Sequence, residues 1–490
     1  MEKNFSAQIS LFIKSRTRTS MLDGRLSMEG DFVEEKAAVG MGGEDRYDEE
    51  VRAWSWGAAS DGQLGMGTVE DQLLPQALLN FPPLSSSPAT RRITQIACGG
   101  AHSIALTGDG RVLTWGRGTC GQLGHQELSN CLLPKPVKFL ESFTISYVSA
   151  GWNHSGFVTD AGRLFMCGDG SFGQLGNGDH QSHGSPVEVL FFSSKHVEQI
   201  ACGMRHSLAL VSDAGSSGSL IYGFGSARHG QIGMLESRTQ RSHNFPKVIE
   251  GFENCEIVSI YANGDHSAAL SADGQLYIWG RRFSGRSDDH IPQILPSPLG
   301  ITEVALGWNH ALVLTDNGVY MFGGYRHGML SGSPLANPIQ HALFPSAQGD
   351  SSDAPTLEKV PCLDDEKVVH IAAGAEHSAL ITDKGTIMTW GWGEHGQLGL
   401  GNTCDQTSPQ IVNIDCKRSS TSVQLGIYCG SGFTIVVKST LSPTRRQLGL
   451  HARPPSSAGE LKSSFPLQRQ GDAQPHLVIW DKKKRKEKRK

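Results

Sequence analysis

Nowhere in the 490 residues is there a run approaching the ~20 apolar residues that a membrane-crossing helix needs, so neither such a helix nor a membrane partner is expected. The ten cysteines include no C-x-x-C pair and no clustering with histidine, which argues against a structural zinc site and a disulfide framework. Cys98, Cys202 and Cys429 each precede a glycine where equivalent positions hold Ala150 and Ala373, so this position calls for a small apolar group. The chain also lacks a Gly-x-Ser-x-Gly elbow, a phosphate-binding P-loop and a His-Glu-x-x-His pair. No catalytic residue, metal or cofactor is therefore expected.

Charge is unevenly spread. Residues 441–490 hold 13 Lys/Arg against 4 Asp/Glu (+9) and residues 1–50 hold 7 against 11 (−4); with −4 for the whole chain, residues 51–440 carry −9. Such a middle segment does not suit phosphate neutralisation, so direct nucleic-acid binding is not expected there, and basic protein partners suit it better. The last ten residues contain eight Lys/Arg, and Lys482, Lys483, Lys484, Arg485 and Lys486 open a run to residue 490 that reads as a nuclear-import signal. The expected location is the nucleus, with the cytoplasm as the alternative, and weak nonspecific nucleic-acid contact by this tail is compatible with its charge. Residues 1–21 are rich in Ser, Thr and Arg, with Glu2 their single acid, which leaves a transit-like segment or a start at Met21 or Met28 as alternative readings. The compositions of residues 1–50 and 441–490 read as disordered flanks around a folded segment at 51–440.

What the chain has in abundance is glycine, 59 residues, and the glycines recur in register. Gly57-Ala-Ala-Ser-Asp-Gly62-Gln-Leu-Gly65 returns at Gly116, Gly168, Gly225 and Gly391, and two degenerate copies at Gly280 and Gly323 keep the five-residue spacing. Six copies are followed by Gly-x-x-His-Ser or a close variant, placing His102, His154, His206, His266, His310 and His377 in equivalent positions; the seventh reads Cys429-Gly-Ser-Gly-Phe433. The period is near 50 residues. Within each unit an apolar run such as Ile93-Thr-Gln-Ile-Ala97 leads into the Gly-x-x-His turn. An alternating run and an Asp/Gly reversal follow, and then another strand, Arg111-Val-Leu-Thr-Trp115. Each unit is thus a small antiparallel sheet that must stack on its neighbours to bury its faces.

This pair of elements resembles the repeat of the regulator-of-chromosome-condensation family over about residues 51–438. The resemblance implies an all-β, seven-bladed propeller of seven tandem repeats. The last repeat lacks its closing strand and the chain begins with an orphan of that kind, Arg52-Ala-Trp-Ser-Trp56, so the two ends of the folded segment are expected to share a blade. The longest insertion, about residues 331–363, is expected to be a surface loop.

Six histidines on six blades are expected to pin turns through ring-nitrogen hydrogen bonds rather than to meet at one ion. The pair between Gly and His is free to vary and offers Trp152, Arg205, Asp265, Trp308 and Glu376 as partner-binding residues; the alternative is that these side chains only pack locally. The resemblance implies a non-catalytic regulator acting as a guanine-nucleotide exchange factor on a Ran-like small GTPase, with Asp265 and Glu376 as the acids of the loop face. All seven turns keep the short spacing, without the longer wedge turn of the founding member. A nuclear scaffold for histone or other basic proteins is the second reading. A UV-B photoreceptor-like role is the third; Trp152 and Trp308 stand three repeats apart, so a tryptophan cluster is not expected.

Overall fold

The computed structural model describes residues 53–79, 81, 92–212, 219–235, 241–252, 255–281, 288–297, 300–323, 357–363, 366–414 and 424–439. The acidic leader, the basic run 482–490 and most of the 331–363 insertion lie outside the described residues.

Seven four-stranded antiparallel sheets follow one another along the chain. Blade 1 comprises Ile93–Cys98, His102–Thr107, Val112–Gly116 and Cys131–Pro136, running from the innermost strand to the outermost. Blades 2 to 6 repeat the pattern over residues 145–188, 196–248, 257–294, 301–359 and 368–412. Two short 3-10 turns, Lys138–Ser142 and Leu190–Phe192, are the helical elements among the described residues.

Blade 7 takes its inner strands, Gln424–Cys429 and Phe433–Ser439, from the far end of the ring. Its outer strands, Ala53–Gly57 and Gln72–Ala77, come from the beginning. The orphan strand closes the ring, with Ala53 opposite Val437 and Trp56 opposite Thr434. Trp54 and Trp56 are buried there.

The core lies between blades rather than inside any one of them. Ile104, Leu106 and Val112 of blade 1 meet Val148, Phe157 and Phe165 of blade 2, and a similar cluster fills the blade 7–1 seam around Trp115, Phe433 and Ile435. Because each sheet is apolar on both faces, no blade can bury its surface alone. A sequence repeat is also offset from a blade. The Gly-Gln-Leu-Gly turn joins the third and fourth strands of one blade and lies across the seam to the next, where Gln63 O accepts from Trp115 Nε1 at 2.8 Å.

Candidate functional site: the Gly-x-x-His face

Each motif histidine is fully or almost fully buried and reaches the next blade. Nε2 of His102, His154 and His206 lies 2.8–2.9 Å from the hydroxyl of Ser155, Ser207 and Ser267. Those three serines donate to the carbonyls of Gln122, Gln174 and Gln231 at 2.7–2.8 Å. His310 reaches Ser378 and His377 reaches Thr434, both at 3.0 Å. A serine hydroxyl has one proton, and here it goes to the glutamine carbonyl, so the histidine must supply its own at Nε2. Blade 5 has Ala311 in place of serine, and His266 Nε2 donates instead to Trp308 O at 2.6 Å. Burial, the leading cause in all six, lowers these pKa values to about 3 or 4 and keeps the rings neutral. The histidines therefore stitch blade to blade, a longer reach than the turn pin expected of them.

The glycine three residues before the histidine, present in five of the six motifs and replaced by Asn263 ahead of His266, is required by that ring. A Cβ on Gly99 would stand 2.5 Å from His102 Cε1 and also strike the Gly151 carbonyl.

The two residues between Gly and His have separate tasks. The first turns to the ring axis and joins a circle of main-chain bonds. Gly100, Trp152, Met204, Trp308, Ala375 and Ser431 each donate N–H to a carbonyl of the next blade, at 2.8–3.2 Å, and Ser431 closes the circle on Gly99. The link missing between blades 4 and 5 is supplied by Asn263, whose Nδ2 donates to Leu306 O at 2.6 Å while its Oδ1 accepts from Gly264 N. Trp152 and Trp308 meet over the axis with ring centroids 4.9 Å apart and planes inclined by 51°. Gly100 makes room for one of them, since a Cβ there would lie 2.6 Å from Trp152 Cε3, while Gly264, beside Trp308, sits at φ +54°, a left-handed conformation that side-chain-bearing residues rarely adopt. Three repeats along the chain become opposite sides of one narrow mouth. The expectation that these tryptophans stay apart is corrected by that geometry.

The second residue faces outward, toward the Gly-Gln-Leu-Gly turns and neighbouring loops. Arg205 lies over the Phe172 ring at 5.0 Å, Asp265 accepts from Gln231 Nε2 at 3.0 Å, and Glu376 accepts from Asn309 Nδ2 at 3.0 Å. All three, like both tryptophans, are half-buried. The structure thus divides the five residues into an axial pair and an outer set of three. At two turns where the outer residue is not an acceptor, Gln174 beside Arg205 and Gln397 beside Gly432, the glutamine is left with a buried donor and no protein partner.

Sequence reasoning missed a second layer of links deeper in the channel. Gln95 bonds both main-chain groups of Val148, Gln199 accepts from Ile260 N at 3.1 Å, and His370 Nδ1 meets Glu303 Oε1 at 2.5 Å. Burial works against a charged His370 ring, but the Glu303 carboxylate prevails and holds it above the ordinary histidine range. These residues share one register, three before Cys98, Cys202, Leu306 and Ala373. Their common signal is a polar residue three before the residue that precedes the motif. The thiols of Cys98, Cys202 and Cys429 are pushed up by burial and stay protonated.

The RCC1-like domain model matches residues 52–436. The chain belongs to the RCC1-like domain family. It is 30% identical to the ultraviolet-B receptor UVR8 of Arabidopsis thaliana, over 73% of this chain and 77% of that protein. It is also 30% identical to the secretion-regulating guanine nucleotide exchange factor of Bos taurus, over 78% and 82%. Among solved structures, Prp20p of Saccharomyces cerevisiae, described with its binding properties to Gsp1p and histones, superposes with a TM-score of 0.64 at 22% identity, over 81% of this chain and 93% of that one. This last likeness concerns the fold.

Proposed function

We propose that this RCC1-like propeller is a non-catalytic regulator that binds a small GTPase of the Ran class on its Gly-x-x-His face and promotes nucleotide exchange. Trp152, Arg205, Asp265, Trp308 and Glu376 are its contact residues. The observation that carries the reading is the fixed rim: blade-to-blade bonds hold the loops while the pair between Gly and His varies. A relative matched over most of its length bears the name of a guanine nucleotide exchange factor. Exchange needs no covalent step, because a protein that binds the nucleotide-free GTPase better than the loaded one shifts the equilibrium toward release. The test is release of a fluorescent guanine nucleotide from purified Ran-class GTPases. The full chain accelerates release, and D265A/E376A slows it toward the unassisted rate. Failure of the wild-type chain to accelerate any of them overturns exchange.

The charge of −9 over residues 51–440 favours a second reading, a nuclear scaffold for a basic protein such as histone. In that case D265A/E376A weakens binding in a salt-dependent manner, because acids on a half-buried, solvent-reached rim attract a basic partner through partly screened Coulomb forces. Nuclear entry is assigned to residues 482–490. A reporter fused to a chain ending at Trp480 loses nuclear accumulation, and equal accumulation of both fusions overturns the assignment.

A further inference from the structure

The mouth of the channel is a cavity of about 80 Å³ lined by the axial residues of the loops and the thiols beneath them. Hydrogen-bond accounting around it is one-sided. The N–H groups of the axial residues are spent on neighbouring blades, that of Gly264 on Asn263 Oδ1, and those of Gly99, Gly151, Gly203, Gly307, Gly374 and Gly430 on the residue three positions further along. The carbonyls in the same circle have each accepted one bond and keep a second lone pair. Two indole rings stand at the mouth, and rings of this kind carry negative potential on their faces. Among the described residues, none that lines the cavity is charged. Asp265 and Glu376 directly follow the lining residues Gly264 and Ala375. The site is rich in acceptors, has no main-chain donor to spare in its circle, and is small.

We propose that this mouth receives a primary ammonium group on an alkyl stem, the end of a lysine side chain presented by a protein partner. An ammonium brings three donors and no acceptor, which matches spare carbonyl lone pairs, and its stem lies against Trp152, Trp308 and Met204. A carboxylate finds no main-chain donor in the circle, only neutral side-chain donors such as the Ser431 hydroxyl, with the acids Asp265 and Glu376 close behind the lining, and a neutral alkyl end leaves the carbonyls without water or partner. The proposal rests on the loop face being the partner-binding face and names the group that enters it.

The test uses the full chain and n-butylammonium chloride as the probe, followed by tryptophan emission and by calorimetry. A saturable response is expected. It is absent when KCl supplies the same ionic strength, and roughly tenfold weaker for 1-butanol, the neutral isostere, as expected for a cation at a desolvated aromatic site. M204K supplies a tethered ammonium and abolishes the response, M204L keeps it, and W152F/W308F weakens it with the melting transition unchanged. An equal response to 1-butanol or KCl, or no response and no heat from the wild-type chain, overturns the proposal. Pull-down from nuclear extract separates the two readings. If W152A/W308A loses its partners while butylammonium gives no response, the lysine receptor falls and the partner face stands. If butylammonium binds but the variant keeps every partner, the partner face falls.

Discussion

Six seams of this ring carry a motif histidine, and the seventh, between blades 7 and 1, carries Phe433 in its place. The Phe433 ring occupies the histidine position, since a Cβ on Gly430 would strike it as one on Gly99 would strike His102. Ser103 still donates to Gln63 O at 3.0 Å, but no ring nitrogen arrives from blade 7. The seam recovers polar links elsewhere. Asp61, in the blade 7 turn, accepts from Arg117 Nη2 at 2.7 Å and from Asn130 Nδ2 at 3.0 Å, both in blade 1. The comparison teaches that packing fixes where blades sit, while the bond that marks each seam can be exchanged for another.

The largest expected effect comes from removing the strand that the closing blade borrows. A chain beginning at Ala58 loses buried Trp54 and Trp56, at about 3–5 kcal/mol for each large aromatic, and leaves Phe433–Ser439 with an open edge. Denaturant titration should show a collapsed or non-cooperative transition. An unchanged midpoint breaks the account of closure.

Next in size is acid, which acts on the six histidine seams and spares the seventh. The histidines are neutral in the folded ring, with pKa values of about 3 to 4, and titrate near the ordinary 6.5 once unfolded. The unfolded chain therefore binds more protons. Stability is full above pH 6.5, falls as pH drops below it, and goes on falling until the folded values are reached. Each ring contributes roughly 2 kcal/mol to that loss by pH 5, so unfolding is expected between about pH 4 and 6. Replacing one histidine by phenylalanine, as the seventh seam does, should lower the proton uptake by about one and make the pH slope shallower. His370 works in the opposite sense: its raised value contributes stability present at low pH and lost as pH rises.

Asp61→Ala probes the substitute links of the seventh seam. Loss of hydrogen bonds to charged groups should cost about 1.5–3 kcal/mol, read from the shift in denaturation midpoint at constant slope. A negligible cost would show that apolar packing holds this seam alone. The smallest effect is expected from Phe433→His, which offers Ser103 the nitrogen it lacks. The change should stay within about 1 kcal/mol of neutral, the net worth of one hydrogen bond against lost apolar contact.

Much of this fold was legible because its constraints are local. The Gly-x-x-His-Ser spacing places a ring under a glycine and a hydroxyl at the start of the second strand, and every intact copy says so again. The orphan strand was legible from phase, one closing strand short at one end and one in surplus at the other. The site was legible only as a list. Trp152 and Trp308 read as separate features because sequence distance says nothing of which blades face each other across an axis. The division into axial and outer residues was also hidden, although the order Gly100 then Trp152, and Gly264 then Trp308, carries it: a residue without a side chain precedes each indole by one blade. Glu303 and His370 were invisible because a single polar residue on a strand does not announce its partner on the next.

The shared blade has a further consequence for how the molecule is made. Among the described residues, Ala53–Gly57 is the first strand to leave the ribosome, and its partner Phe433–Ser439 is the last. At about 5–20 residues per second, the interval between them is roughly 20–80 s. Throughout it a strand bearing Trp54 and Trp56 has no mate, and blade 1 lacks the neighbour that covers Trp115 and Ile93. The ring is therefore completed only after synthesis of its last blade, and until then its first strand is a surface for chaperones to guard.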